Sequence, residues 1–116
     1  MMFKSLAPFI PSGKDLEGAK QLFQDLGFDK TWDQGDYAGF SKGDCSFILQ
    51  KYDNKEFAEN LMLNVRVSDI DDFLAMVKEK KLTEKFAIRV SPIISQPYGR
   101  EVNLIDLAGV CWHFVG

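Results

Sequence analysis

The sequence predicts an α+β protein in which one order of elements, βαβββ, occurs twice. In each half a short apolar stretch is followed by apolar residues at helical spacing and then by short β-prone runs separated by turns. The 116 residues suit a single domain, because two domains would each be too small to hold a core. The two halves share little residue identity, so the repeat is inferred from the order of elements.

The first module is expected to span about residues 5–53. Leu6–Ile10 is short, apolar and flanked by proline, and it predicts a strand. Asp15 supplies an N-cap, and apolar residues at helical spacing predict a helix that ends at Gly27. Three further strands are predicted at Phe28–Trp32, Tyr37–Ser41 and Cys45–Tyr52.

The second module is expected to span about residues 60–116. Apolar and polar residues alternate along Leu61–Val67, which predicts a half-buried strand. Ser68 and Asp69 form a cap, and the helix that follows ends in the basic run Lys78–Lys81. Three strands are then predicted at Phe86–Val90, Arg100–Asp106 and Val110–Val115, with an irregular loop over Ser91–Gly99.

Composition and charge exclude several classes of protein. A formal net charge of −3 argues against a general nucleic-acid binder, which needs a basic face. No apolar run is long enough to span a membrane, and Pro8, Pro11 and Gly13 interrupt the start before a signal-peptide core can form. Cys45 and Cys111 lack metal-ligand spacing, so we expect two reduced thiols and a cytoplasmic protein.

Strand alternation leaves one mixed polar face on each sheet. A helix covers one set of alternate residues, and the other set is expected to face inward, toward the space that the sheet encloses. The polar members of this second set are Gln50, Asn64, Arg66, Glu101, Asn103 and His113. Amides beside one arginine and the only histidine predict a partly closed cleft for a small organic molecule. An ordinary wet sheet surface covered by a second subunit is the alternative.

Aromatic side chains outside the helical stripes are candidates for stacking on a flat ligand. They are Trp32, Tyr37, Phe40 and Tyr98. Arg66 beside amides favours an anionic or multiply hydroxylated ligand, because its planar fork donates two hydrogen bonds to one oxyanion. If Glu101 neutralises Arg66, the ligand is expected to be neutral and polar-aromatic.

No catalytic residue is assigned from the sequence. Cys111 and His113 share a strand face, but residues two apart are roughly 6.5–7 Å apart along the chain, too far for a direct hydrogen bond without favourable rotamers. No third, orienting group is evident. His113 remains a weak candidate for a general base, with Asn64 or Asn103 fixing its tautomer.

Several short motifs, taken in order, resemble one family. They are Pro8-Phe9-Ile10-Pro11-Ser12, Leu26-Gly27-Phe28, Val65-Arg66-Val67-Ser68-Asp69-Ile70-Asp71, Pro97-Tyr98-Gly99-Arg100-Glu101 and Asp106-Leu107-Ala108-Gly109. With the duplicated βαβββ order they resemble the glyoxalase / bleomycin resistance protein / extradiol dioxygenase superfamily, also called vicinal oxygen chelate, in its bleomycin-resistance-like branch. The chain departs from the closing signature at Tyr98, where the family has Trp, and at Leu107-Ala108, where it has Pro-Asp.

The resemblance implies an incomplete barrel around a cavity and a homodimer, in which some members complete the cavity across the two subunits. The family's four metal-ligand positions fall here on Ala7 (or Pro8), Ile48, Met62 and His113. Only His113 is a suitable ligand, so the metal-dependent lyase or dioxygenase site is expected to be missing.

The favoured function is therefore metal-independent binding of a small molecule, with no cofactor and no nucleic-acid or membrane partner. Whether the protein catalyses a reaction stays open at this point. One alternative is a glyoxalase-like lyase or isomerase that uses His113 or a displaced metal site. The other is a non-catalytic dimeric interaction module.

Overall fold

The first module forms a four-stranded sheet with one helix packed on it. In the computed structural model, which describes Met1–Gly116, its elements are β1 (Phe9–Pro11), α1 (Leu16–Asp25), β2 (Asp29–Asp33), β3 (Tyr37–Lys42) and β4 (Cys45–Gln50). The strand order is β1-β4-β3-β2, with β1 parallel to β4 and the other pairs antiparallel. A short helix, α2 (Lys55–Asn60), leads to the second module.

The second module repeats this topology. Its elements are β5 (Met62–Arg66), α3 (Ile70–Glu79), α4 (Leu82–Lys85), β6 (Arg89–Val90), β7 (Ile94–Gln96), β8 (Gly99–Ile105) and β9 (Cys111–Val115). The strand order is β5-β9-β8-β6, with β7 also paired to β8. β5 runs parallel to β9, as β1 does to β4. The predicted α+β class with two βαβββ modules is confirmed. None of its helices combines the length and the apolar character that crossing a membrane requires.

Several details differ from the sequence prediction, among them that β6 and β4 are shorter than the predicted Phe86–Val90 and Cys45–Tyr52. The helices α2 and α4 were not predicted, because four or six residues are too few to show a helical period. The loop Ser91–Gly99 contains β7, which extends the edge of the second sheet. The first strand begins at Phe9 rather than Leu6, although the Pro8 carbonyl already accepts a hydrogen bond from the amide of Ile48.

Both long helices begin at the aspartates that the sequence indicated. The carboxylate of Asp15 accepts a hydrogen bond from the amide of Gly18, and that of Asp69 accepts one from the amide of Asp72. An N-cap of this kind satisfies a helix donor that has no partner in the helix. The acidic run at Asp69–Asp72 is therefore the start of α3.

A single aromatic cluster joins the two modules. Phe47 on β4 lies 4.8 Å from Phe23 of α1 and 5.3 Å from Trp112 of β9, measured between ring centroids. Both Phe47 and Trp112 lie on the helix-covered side of their sheets. Because these covered sides contact each other, the opposite sides of the two sheets are directed outward. We call them the open face of the first sheet (Phe9, Trp32, Tyr37, Ile48, Gln50) and the open face of the second sheet (Asn64, Arg66, Glu101, Asn103, Cys111, His113).

A buried lysine holds the turn between β2 and β3. The ammonium of Lys20 donates hydrogen bonds to Asp33 Oδ1 at 3.0 Å and to the Gly35 carbonyl at 2.8 Å. The Gly35 amide, Lys30 and Lys20 all donate to the Asp33 carboxylate and hold its pKa well below the usual range. This network fixes the ends of β2 and β3, which carry Trp32 and Tyr37.

Candidate functional site

Polar side chains form two rows across the open face of the second sheet. In one row His113 lies between Asn64 of β5 and Asn103 of β8. In the next row Val115 lies between Arg66 and Glu101. Residues in register on neighbouring strands point to the same side of a sheet, so the alternation predicted from the sequence holds here. Five of the six predicted polar site residues are on this face.

A buried carboxylate organises the centre of this face. The side chain of Glu101 is 3% exposed, and its Oε1 accepts a hydrogen bond from the Tyr98 hydroxyl at 2.8 Å. The same oxygen lies 3.3 Å from Nδ1 of His113, whose side chain is 25% exposed. The bond to Glu101 raises the pKa of the Tyr98 hydroxyl. A buried carboxylate is stable only with such partners, and Glu101, held by Tyr98, in turn orients the imidazole of His113.

The thiol of Cys111 contacts the other nitrogen of the same imidazole. Its Sγ lies 3.4 Å from Nε2 of His113. Strand spacing left a direct contact dependent on favourable rotamers, and the two side chains have such rotamers. Glu101 is the third, orienting group that was not evident from the sequence. Its position diagonal to His113 depends on the register between β8 and β9, in which it pairs with Val115.

Two residues of this face have polar groups that the chain does not satisfy. Asn103 Oδ1 is buried and accepts no hydrogen bond, although the backbone N–H of Asn103 donates to Ser91 Oγ. Arg66 is exposed, and its guanidinium takes part in no ion pair or hydrogen bond within the chain. Glu101 is bonded to Tyr98 and His113, so it does not neutralise Arg66.

The open face of the first sheet is aromatic. Trp32 and Tyr37 are 40% and 38% exposed, and Phe9 lies edge-on to Tyr37 with ring centroids 6.1 Å apart. The Trp32 indole lies directly over Gly39, where the Cβ of any other residue would collide with it. Gln50 is the register partner of Tyr37 on this face. Two of the predicted stacking residues are therefore available to a ligand here.

The other two aromatic candidates lie elsewhere. Phe40 is on the covered side of the first sheet, 1% exposed and stacked on Phe47, so it is a core residue. Phe40 alternates with Gly39 and Ser41 along β3, so its side chain lies on the side of the sheet opposite Tyr37. Tyr98 is half exposed in the turn between β7 and β8, and its hydroxyl is bonded to Glu101.

The six polar residues that were predicted to line one cleft do not all come together within one chain. Gln50, Trp32 and Tyr37 are on the first sheet, and the rest of the predicted site is on the second. None of the five principal cavities is lined by any of these three residues or by His113. The largest, about 780 Å³, lies instead beside the loop Asp106–Gly109 and has both lysines and carboxylates in its walls.

At the positions where the similar family binds a metal, this chain has residues that are poor metal ligands or cannot bind a metal. Ile48 faces Gly39 in register, and Met62 faces Cys111. No group of three His, Cys, Asp or Glu side chains lies close enough together to hold a metal ion. One imidazole and one thioether do not fit a catalytic divalent ion.

Comparison with known proteins gives similarity in structure only. No protein-family model matches the chain, and no curated protein matches its sequence. Among solved structures, the bleomycin-binding protein of bleomycin-producing Streptomyces verticillus, complexed with copper(II)-bleomycin, is 23% identical, with a TM-score of 0.76 over 100% of this chain and 98% of that one.

Two further structures have the same fold. A glyoxalase/bleomycin resistance protein from Streptomyces sp. CB03234 is 24% identical, with a TM-score of 0.73 over 97% of this chain and 100% of that one. The fosfomycin resistance protein of Mesorhizobium loti is 12% identical, with a TM-score of 0.74 over 100% and 94%. The chain thus has the fold of these bleomycin-binding and resistance proteins, and the order of two βαβββ modules that the resemblance implied is confirmed.

Proposed function

We propose that this chain, which has the fold of bleomycin-binding proteins, binds a small organic molecule without a metal in a cleft that a second copy completes. Neighbours of this fold are described as binding bleomycin or an antibiotic. Their identities are too low to transfer a ligand, so only this chain's own side chains can indicate what it binds.

The observation that carries the proposal is the buried, unsatisfied oxygen of Asn103. Buried polar atoms of folded proteins are almost always hydrogen-bonded, and an exception needs an explanation. Asn103 lies in register beside His113, on a face that the chain's own helices leave uncovered. A ligand donor bound on this face would supply the missing hydrogen bond.

The charge on this face favours an anionic or hydroxylated ligand. The guanidinium of Arg66 has no carboxylate partner, so both prongs of its fork are available to an oxyanion. The buried Glu101 is already satisfied by Tyr98 and His113 and does not compete for Arg66. A carboxylate, a phosphate or a polyhydroxylated group is the chemistry that fits this row.

A second copy would supply the apolar wall that the second sheet lacks. The open face of the first sheet exposes Phe9, Trp32 and Tyr37, and four apolar residues near the N-terminus are also exposed, Met1, Met2, Phe3 and Leu6. Exposed apolar surface of this kind marks an interaction site. A two-fold axis would set the aromatic face of one copy against the polar face of the other, and would do so twice. The ligand would then stack on Trp32 and Tyr37 of one copy while it bonds Arg66 and Asn103 of the other.

We also propose that binding needs neither a metal nor a cofactor and that the protein is cytoplasmic. The donors at the family's metal positions support binding without a metal, and nothing in the chain's motifs calls for a cofactor. Cys45 and Cys111 are free thiols on different sheets, which supports a reducing, cytoplasmic environment.

A thermal-shift screen of small carboxylates, phosphates and planar aromatic acids tests the proposal. A compound at a hundred times its dissociation constant should stabilise the wild type by about 2.7 kcal/mol. The Arg66→Ala variant should lose most of that stabilisation, because the oxyanion loses its cation. Arg100→Ala is the matched control, since Arg100 is bonded to Asp71 on the covered side of the sheet and should leave the shift unchanged.

Two results would contradict the proposal. One is a screen in which no compound stabilises the wild type. The other is a set of compounds that stabilise Arg66→Ala as well as they stabilise the wild type and Arg100→Ala.

A further inference from the structure

We propose that Cys111 is a nucleophilic thiol that adds to a soft electrophile, such as an α,β-unsaturated carbonyl compound, with His113 as its general base. The inference deepens the proposed function and rests on it, since the electrophile would occupy the same cleft. It differs from reversible binding because a covalent bond to the chain is formed.

The geometry is that of a thiol, a base and an orienting carboxylate in one line. Cys111 Sγ lies 3.4 Å from Nε2 of His113, and Nδ1 of the same ring lies 3.3 Å from Glu101 Oε1. The Tyr98 hydroxyl holds this carboxylate at 2.8 Å. A nucleophile, a base within reach and a third group that orients the base form the recurring arrangement of nucleophilic catalysis. Nothing in the packing of a sheet face requires it.

The buried carboxylate gives His113 its role. Glu101, whose side chain is 3% exposed, places Oε1 3.3 Å from Nδ1 of His113 and so fixes the orientation of the imidazole. With Nδ1 directed at Glu101, Nε2 is left to face the thiol. Glu101 is thus a positioning residue, and His113 is the group that touches the reacting sulfur.

The thiol is neutral before it reacts. Burial raises the pKa of Cys111, and the negative charges of Glu101 and Asp106 raise it further. The sulfur therefore becomes a nucleophile only as His113 accepts its proton. A thiol of high pKa yields a more nucleophilic thiolate, so this environment suits general-base attack rather than a resting ion pair.

The addition is balanced without a further reactant. The Cys111 S–H bond breaks and its proton passes to Nε2 of His113, while the sulfur electron pair forms a bond to the β-carbon of the electrophile. The π electrons of the C=C bond move to the α-carbon and carbonyl, giving an enolate. The imidazolium returns the proton to the α-carbon, so the product is a thioether and no group leaves.

The second cysteine provides an internal comparison. Cys45 is also partly buried, but it lies at the start of β4 and has no histidine or other base bonded to its sulfur. Because the two thiols have similar exposure, comparing their reaction rates separates the effect of the base from that of solvent access.

The test is alkylation of the full chain by N-ethylmaleimide, followed by intact mass and peptide mapping at each cysteine. We expect Cys111 to react at least about tenfold faster than Cys45. This threshold is conservative, because a positioned general base typically accelerates a reaction by about a hundredfold or more. His113→Asn should reduce the rate at Cys111 to that at Cys45. Glu101→Gln should reduce it partly, and Cys45→Ser should leave it unchanged.

Equal rates at the two thiols in the wild type would overturn the inference, as would a Cys111 rate unaffected by His113→Asn. The rate at Cys45 in the His113→Asn and Glu101→Gln variants reports whether the fold is intact, because unfolding would accelerate both thiols. Cys111→Ser should keep the thermal shift from non-electrophilic ligands. A shift without selective alkylation therefore contradicts only this inference, whereas no shift in the wild type contradicts the proposed function itself.

Discussion

Replacing Asp106 with alanine is expected to lower the free energy of unfolding by roughly 3–5 kcal/mol, because it leaves several donors without a partner. Asp106 Oδ1 accepts hydrogen bonds from the amides of Ala108, Gly109 and Val110 at 3.0–3.1 Å. Its Oδ2 accepts one from the Trp112 indole at 2.9 Å. One carboxylate thus closes the β8–β9 turn and anchors the strand that carries His113.

Asp106→Asn is the matched variant. Its carbonyl oxygen could still accept the three backbone bonds, but its amide nitrogen would meet the N–H of Trp112 instead of an acceptor. Burial raises the pKa of Asp106 in spite of these bonds, so removing the charge also relieves a desolvation cost. We expect Asn to cost about 1–2 kcal/mol. Urea unfolding at pH 7 measures both, and an alanine variant within about 1 kcal/mol of wild type would contradict this account.

Replacing Phe47 with alanine is expected to cost roughly 3–5 kcal/mol, because Phe47 is the centre of the aromatic cluster that joins the modules. It is 4% exposed and stacks on Phe40 at 5.2 Å. It also contacts Phe23, Phe28 and Trp112, with centroids 4.8–5.3 Å away. The substitution leaves a cavity between the two sheets.

Two substitutions bracket this effect. Phe47→Leu keeps most of the buried volume and should cost below about 1.5 kcal/mol. Ile48→Ala changes the next residue, which is half-buried on the open face, and should cost less than Phe47→Ala. Thermal or urea unfolding of the three variants gives the order. An Ile48→Ala variant as destabilised as Phe47→Ala would show that the open face is part of the core.

The sequence predicted the strands and their faces because those features depend on neighbours in the chain. Alternation in Leu61–Val67 assigned Asn64 and Arg66 correctly to the uncovered side, and Asp15 and Asp69 cap the helices as their positions indicated. It failed where the deciding contact is distant. Nothing local to Phe47 shows that it packs on Trp112, so the outward direction of both open faces was not predictable.

The contacts at the centre of the candidate site were not predictable either, although Cys111 and His113 are close in the sequence. Cys111 and His113 were placed on one face, but their contact depends on rotamers, and Glu101 reaches His113 only through the β8–β9 register. Phe40 was grouped with the candidate stacking residues because it lies outside the helical stripes. The structure assigns it to the core through its stacking on Phe47.

Mixing two defective variants tests most directly whether the cleft is shared between copies. Trp32→Ala removes the stacking surface on one sheet, and Arg66→Ala removes the cation on the other. Each variant alone should fail to bind a compound that stabilises the wild type. After the two are unfolded together in urea and refolded, half of the dimers combine both variants, and each of these has one intact cleft. The account predicts that binding capacity, measured by titration calorimetry, recovers to about a quarter of the wild-type value. A mixture that binds no more than the separate variants would contradict it.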